Sequence, residues 1–299
     1  MEASWKTTNS SFPPLDSLAG ASGLLFLDVT TLPHGDELVS IIGVDYTRLK
    51  TSDGGDLYLT QFGVPFRDQL TPENWYAPEW FEARRVRLAG TSAIYRVPTR
   101  AVRGSSLDLV VRFSRVGHEV PRDPRDPNEN IWAEFNSPFE EFALLMALRS
   151  TRAGNPHRFI LTKKPLAIYS PARLLQEWQT GRSASRIELK RLQHPEANID
   201  MRHQYILLYG WIKGLNAVQA AQALTMTYSS AVQFQNDATA RAIRDLAQHG
   251  FRMADIKPEH IVLRIRPDGS LLRWPDGSLI YALVDYELLE RIPEPVSGS

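Results

Sequence analysis

Cysteine is absent from this chain of 299 residues. Its absence excludes disulfides, thiolate metal sites and cysteine nucleophiles together. Net charge is absent too, since 34 Lys and Arg balance 34 Asp and Glu. A neutral chain lacks the electrostatic footprint of a partner for nucleic acid or an anionic membrane. No apolar run approaches the roughly 18 residues of a membrane span. The start, Met1-Glu2-Ala3-Ser4-Trp5-Lys6, lacks the basic-then-apolar order of a secretion signal, so the cytoplasm is the expected compartment. Three catalytic signatures are also missing: the Gly-x-Ser-x-Gly elbow, the His-Glu-x-x-His helix and the phosphate loop Gly-x-x-x-x-Gly-Lys-Ser/Thr. The seven histidines show no paired metal-site spacing.

What remains is an ordinary globular composition. A hydrophobic share of 43% with 23% charged residues suits a chain that buries one large core or two lobes. Residues 1–20 are rich in Ser, Thr and Pro and read as a mobile tail. Residues 21–84 carry short apolar stretches, such as Leu24-Leu25-Phe26-Leu27 and Ile41-Ile42-Gly43-Val44, broken by Gly, Pro and Asp. They predict a small strand-containing extension packed on the next domain. Trp75, Tyr76, Trp80 and Phe81 cluster near Pro72 and Pro78; they serve as a docking surface within the chain or as a partner site.

From Arg85 the elements fall into an order. Arg85–Gly90 and Ala93–Val97 alternate as two strands about a tight turn, and Leu109–Phe113 reads as a third strand. A proline-rich loop from Gly117 to Pro138 leads to a helix with Phe139, Phe142, Leu144, Leu145 and Leu148 on its apolar face. A strand through Phe159-Ile160-Leu161 and a polar helix near Leu174–Trp178 follow. Tyr205–Leu208 is a further apolar strand running into Tyr209-Gly210-Trp211-Ile212-Lys213-Gly214. Helices are predicted from Ala217 to about Tyr228 and from Ala231 to His249, the second stopped by Gly250. Pro267-Asp268-Gly269 and Pro275-Asp276-Gly277 are turns between the last strands.

Two segments carry the chemistry. Met253-Ala254-Asp255-Ile256-Lys257-Pro258-Glu259-His260 precedes an apolar strand, and Leu283-Val284-Asp285-Tyr286-Glu287 ends another. Phosphoryl transfer uses such a carboxylate pair, one orienting the attacking hydroxyl and one holding the metal that bridges the nucleotide phosphates. The first segment resembles the catalytic loop of the protein-kinase-like superfamily, and Asp285-Tyr286-Glu287 sits where that superfamily has Asp-Phe-Gly. The resemblance runs from about Arg85 to Glu290 and is strongest over the last fifty residues.

The resemblance implies a two-lobed α+β kinase-like fold, with residues 85–213 as small lobe and hinge and 214–299 as a reduced large lobe. Asp255 would orient the substrate hydroxyl and Lys257 would offset charge on the transferred group. Asp285 would bind the metal, with a buried structural carboxylate as its alternative. His260 stands at the place of the family's usual Asn, as a second metal ligand or as packing under the loop. Imidazole suits Mn²⁺ better than Mg²⁺. Arg112 stands at the third-strand Lys, with Glu141 as its helix partner. Gly90, Thr91 and Ser92 would cover the phosphates or form an ordinary hairpin turn, only one glycine remaining there. Trp211 would flank the base of a purine nucleotide, ATP foremost, bound at backbone groups of residues 209–213. Glu287 in place of glycine implies a fixed site or a further acidic metal contact.

Only twelve residues follow Glu287, where a protein kinase continues into its peptide-docking helices. Three readings follow. The chain is an ATP-dependent phosphotransferase acting on a hydroxyl of a small molecule or protein. Or it is a catalytically dead pseudokinase that binds nucleotide or protein. Or it is a fragment of a longer lobe.

Overall fold

The computed structural model describes residues 35–88, 93–121, 132–151 and 160–293. The expected tail, Leu24–Leu27, and the turn residues Gly90, Thr91 and Ser92 lie outside them. The first strands, β1 (Glu37–Ile41), β2 (Val44–Lys50) and β3 (Asp56–Leu59), form a meander. Ile42 and Gly43 turn its first corner with φ of 50° and 70°, the paired positive values of a two-residue hairpin loop. Short helices α1 (Arg67–Leu70) and α2 (Pro78–Arg84) follow, then β4 (Val86–Arg87), β5 (Ile94–Pro98) and β6 (Asp108–Phe113). A β7 (Glu119–Pro121) and β8 (Trp132–Glu134) pair precedes helix α3 (Pro138–Ser150).

Next come β9 (Leu161–Thr162), β10 (Pro165–Ser170), α4 (Glu177–Thr180), α5 (Ala184–Gln193) and β11 (Ile206–Gly210). The predicted helix at 174–178 is therefore only the four-residue α4, and α5 is the substantial helix of that stretch. The polar composition there gave no apolar stripe by which to find α5, whose buried residues are Ile187 and Lys190. The rest comprises β12 (Leu215–Asn216), α6 (Ala217–Ala223), α7 (Tyr228–Gln248), β13 (Phe251–Met253), β14 (Ile261–Leu263), β15 (Tyr281–Leu283) and β16 (Leu289–Arg291). Gly250, at φ 77°, follows α7 in the left-handed region that lets the chain leave the helix.

Eight strands make one antiparallel sheet in the order β1-β2-β3-β10-β11-β6-β5-β4. The extension strands β1–β3 thus add to the edge at β10. Alternation along β6 sends Leu109 and Val111 to one face and Val110 and Arg112 to the other. On the first face Leu70, Trp75 and Phe81 complete a core with Leu57, Leu59 and Tyr169. Trp75 is fully buried and its indole N–H donates to the Leu70 carbonyl at 2.9 Å. The aromatic cluster is thus largely internal packing, with edge contacts such as Trp75–Tyr169 at 5.8 Å.

On the second face lies α3, with Phe139, Phe142, Leu145 and Leu148 buried. Ser137 and Glu140 form a reciprocal capping box at its start, Glu140 N–H to Ser137 Oγ being 3.2 Å. A smaller sheet, β12-β14-β15-β9, sits beyond. There β9 runs parallel to β15, with Ala282 opposite Leu161 and Leu283 opposite Thr162. The fold is mixed α/β around a large antiparallel sheet, and no helix among the described residues is long and apolar enough to cross a membrane.

Candidate active site

Strand register assembles the site. Ile261 pairs with Leu283, so His260 lies level with Val284, whose N–H donates to the His260 carbonyl at 3.1 Å. Lys163 follows Thr162, the partner of Leu283, on the opposite side of β15. Asp285 leaves the end of β15 between these two flanking chains. His260 itself closes a 3₁₀ turn, Pro258–His260, whose proline presets the first turn position.

The Asp285 carboxylate and the His260 imidazole approach to 3.5 Å, Oδ2 to Nε2. The other imidazole nitrogen, Nδ1, is buried without a hydrogen-bond partner. Burial pushes the Asp285 carboxyl upward, but His260, Arg112, Lys163 and Arg115 together hold it below the usual carboxylate range. Asp285 is therefore kept ionised by a ring of cationic and imidazole groups. Its Oδ1 also accepts the Glu287 N–H at 3.3 Å, a local turn that fixes the loop.

Asp255 and Lys257 form an ion pair at 2.6 Å near the surface, with side chains 39% and 48% exposed. Such a pair adds little stability. Its geometry instead keeps a carboxylate and an ammonium together at the mouth of the loop. Arg115 links the two carboxylate segments electrostatically: burial lowers its guanidinium below the usual range, while Asp285 and Asp255 both oppose that shift.

Arg112, on β6, bonds Glu141 of α3 through one guanidinium nitrogen and Glu287 through another. Glu141 also accepts the Tyr209 hydroxyl. Arg115 completes the cluster, with Nη2 2.6 Å and Nε 3.2 Å from the same Glu287 oxygen. Its Cζ also stacks 3.9 Å over the Phe135 ring. Glu287 is thus engaged by two arginines, an arrangement that fits the fixed-site alternative of its reading. Both arms of Arg112 are likewise held by carboxylates, so its fork faces protein and not an open phosphate pocket. Trp211 stands apart from these groups, its ring 4.9 Å from the Arg96 guanidinium.

Sequence reasoning missed Lys163. It is 5% exposed, with its ammonium 4.9 Å from the Tyr209 ring and 5.8 Å from the Tyr286 ring. Burial pulls its pKa down to about 7, with Asp285 opposing the fall and Arg112 adding to it. Its backbone N–H donates to the Tyr286 hydroxyl at 2.9 Å. The only signal was a Lys-Lys pair between two apolar runs, and its exposed neighbour Lys164 looks the same in sequence.

Asp285 and His260 offer two ligating atoms 3.5 Å apart, and no group of three or more His, Cys, Asp or Glu that could hold a metal occurs among the described residues. Mg²⁺ is commonly held by one or two carboxylates together with substrate phosphates and water.

No family model matches this chain, and no curated protein matches it. Among solved structures, it is similar to the crystal structure of the BubR1 kinase domain, with a TM-score of 0.37 and 10% identity. The match covers 88% of this chain and 56% of that chain, so this chain spans a little over half of the matched structure's length.

Proposed function

We propose that the chain is an atypical kinase-like phosphotransferase that moves the γ-phosphate of ATP to a hydroxyl. Residues 85–213 would be the small lobe and hinge, and 214–299 the large lobe, with the nucleotide between them. The observation that carries this reading is the placement of Asp285. A half-buried carboxylate is held ionised beside an imidazole, and Arg115 feels its charge together with that of Asp255. A carboxylate kept charged away from bulk water is suited to a cation.

In this reading Asp255 orients the acceptor hydroxyl and takes up its proton, while Lys257, already beside it at 2.6 Å, offsets charge on the transferred group. Asp285 and His260 would hold Mg²⁺ or Mn²⁺, which would neutralise phosphate oxygens. The Arg112–Glu141 pair braces strand β6 against α3, as the corresponding strand-to-helix ion pair does in protein kinases. Gly90, Thr91, Ser92 and Trp211 would border the nucleotide.

A specific observation favours the pseudokinase as the second reading. Arg112 is bound on both arms by carboxylates, so the cation expected on that strand is not directed at phosphate. Thermal unfolding with ATP, GTP and ADP, each with Mg²⁺ or Mn²⁺, tests nucleotide binding; saturation at 100 times Kd adds about 2.7 kcal/mol. ADP release in the presence of sugar, lipid-headgroup and peptide hydroxyls then separates enzyme from binding module. Asp285→Asn should abolish turnover while the fold persists. Turnover that survives the change would end the assignment of Asp285.

A further inference from the structure

The charges around Asp285 fall into two sets. Arg112 and Arg115 face Glu141 and Glu287 through direct contacts. Two cations and two anions are thereby matched. Lys163 and Asp285 are left, and they differ in kind. Asp285 has the imidazole of His260 at 3.5 Å. Among the described residues, no carboxylate lies within ion-pairing distance of the Lys163 ammonium, which rests instead against the faces of Tyr209 and Tyr286.

A buried cation with no carboxylate in direct contact is costly, and two tyrosine faces with the nearby charge of Asp285 compensate it only in part. Such a group persists where an anion completes it. Lys163 is also fixed in place. Its peptide N–H is tied to the Tyr286 hydroxyl, that hydroxyl is tied to the Leu283 carbonyl, and the parallel register of β9 with β15 sets its level beside Asp285. A compact ammonium next to a metal-binding carboxylate suits a phosphate oxygen as a point charge.

We propose that Lys163, and not Arg112, is the cation that receives the phosphate chain of the bound nucleotide. Lys163 reaches the phosphates from the β9–β10 junction, while Arg112 serves as the brace that organises α3 and the loop after Asp285. The proposal rests on the nucleotide-binding reading above and specifies the residue that contacts its phosphates.

Two measurements test it on the full chain. In the first, wild-type protein is treated with an acyl phosphate of ATP. This reagent transfers its acyl group to a nearby lysine amine, the amide forming as the mixed anhydride breaks and ATP leaves. Peptide mapping should find Lys163 acylated, and excess ATP with Mg²⁺ should suppress it. In the second, calorimetry compares ATP and adenosine on wild type and Lys163→Met. The methionine keeps the chain length without a charge, so it leaves no large void. Affinity for ATP with Mg²⁺ should fall about tenfold or more, the worth of one charge-assisted contact, with adenosine affinity unchanged. ATP-protected acylation at Lys257 or Lys213 alone, with ATP affinity unaltered in Lys163→Met, would overturn the role of Lys163 and leave the nucleotide site standing. Absence of ATP binding and of any ATP-protected lysine in wild type would overturn both.

Discussion

Arg115 and Glu287 meet at 2.6 Å, joining the turn after β6 to the loop that follows Asp285. Arg112 bonds the same carboxylate from the neighbouring strand position. Through this one glutamate the large antiparallel sheet, α3 and the Asp285 loop become a single charged unit. A glycine there would leave the loop free to turn. Here it is held in one arrangement, with the Asn136 side chain adding a bond to the Leu289 carbonyl at 2.9 Å.

Arg112→Met should destabilise the protein by about 3–5 kcal/mol, because Glu141 would stay buried with its cation removed while Glu287 would keep only Arg115. Both carboxylates lie in the core, 2% and 4% exposed. Urea unfolding at pH 7 with an unchanged slope is the check. Adding Glu141→Gln to the variant should recover part of the loss, since the stranded charge of Glu141 is then gone.

Lys163 should make stability rise with pH. Unfolded, the lysine holds its proton to about 10.5; folded, it holds it only to about 7. Between those values the unfolded chain binds more protons, so raising the pH favours the folded state. The penalty is full below pH 7 and is relieved as pH climbs toward 10. Tyr209 and Tyr286, raised by burial, remain protonated through this window. The difference in unfolding free energy between Lys163→Met and wild type should therefore be largest below pH 7 and close toward pH 10. A difference that does not vary with pH would contradict it.

Ser137→Ala should cost about 1 kcal/mol by removing the cap of α3. The loss reaches the site, since Glu141 rides on the first turn of that helix. Hydrogen exchange should speed up first at the amides of Glu140 and Glu141, the former being the one Ser137 accepts.

His260→Asn tests the metal assignment. With the imidazole 3.5 Å from Asp285, a nitrogen ligand should favour Mn²⁺ over Mg²⁺, and the asparagine oxygen should move the preference toward Mg²⁺. Metal affinity measured with ATP present gives the ratio directly. An unchanged ratio would assign His260 to packing beneath the loop.

Local pattern made several features legible. The apolar run Leu109-Val110-Val111-Arg112-Phe113 marked a strand, and Phe139, Phe142, Leu145 and Leu148 marked the apolar side of α3. Gly250 marked the end of α7. These follow from periods of two and 3.6 residues and from backbone freedom, which sequence carries position by position. The two carboxylate segments were legible as motifs, each containing its own chemistry in a few consecutive residues.

What only the tertiary structure decided is which charges neutralise which. Glu287 read as the mark of a fixed site or of a metal contact, and β6 with its following turn brings two arginines onto it. Lys163 and Lys164 are indistinguishable as letters. The parallel pairing of β9 with β15 buries the first beside Asp285 and leaves the second in solvent. Burial and ion pairing depend on contacts between residues far apart in the chain, and their energies depend on the water excluded around them. The sequence by itself determined the strongly patterned strands and helices and the acidic motifs, though not α5; the folded packing determined the state of each charge within them.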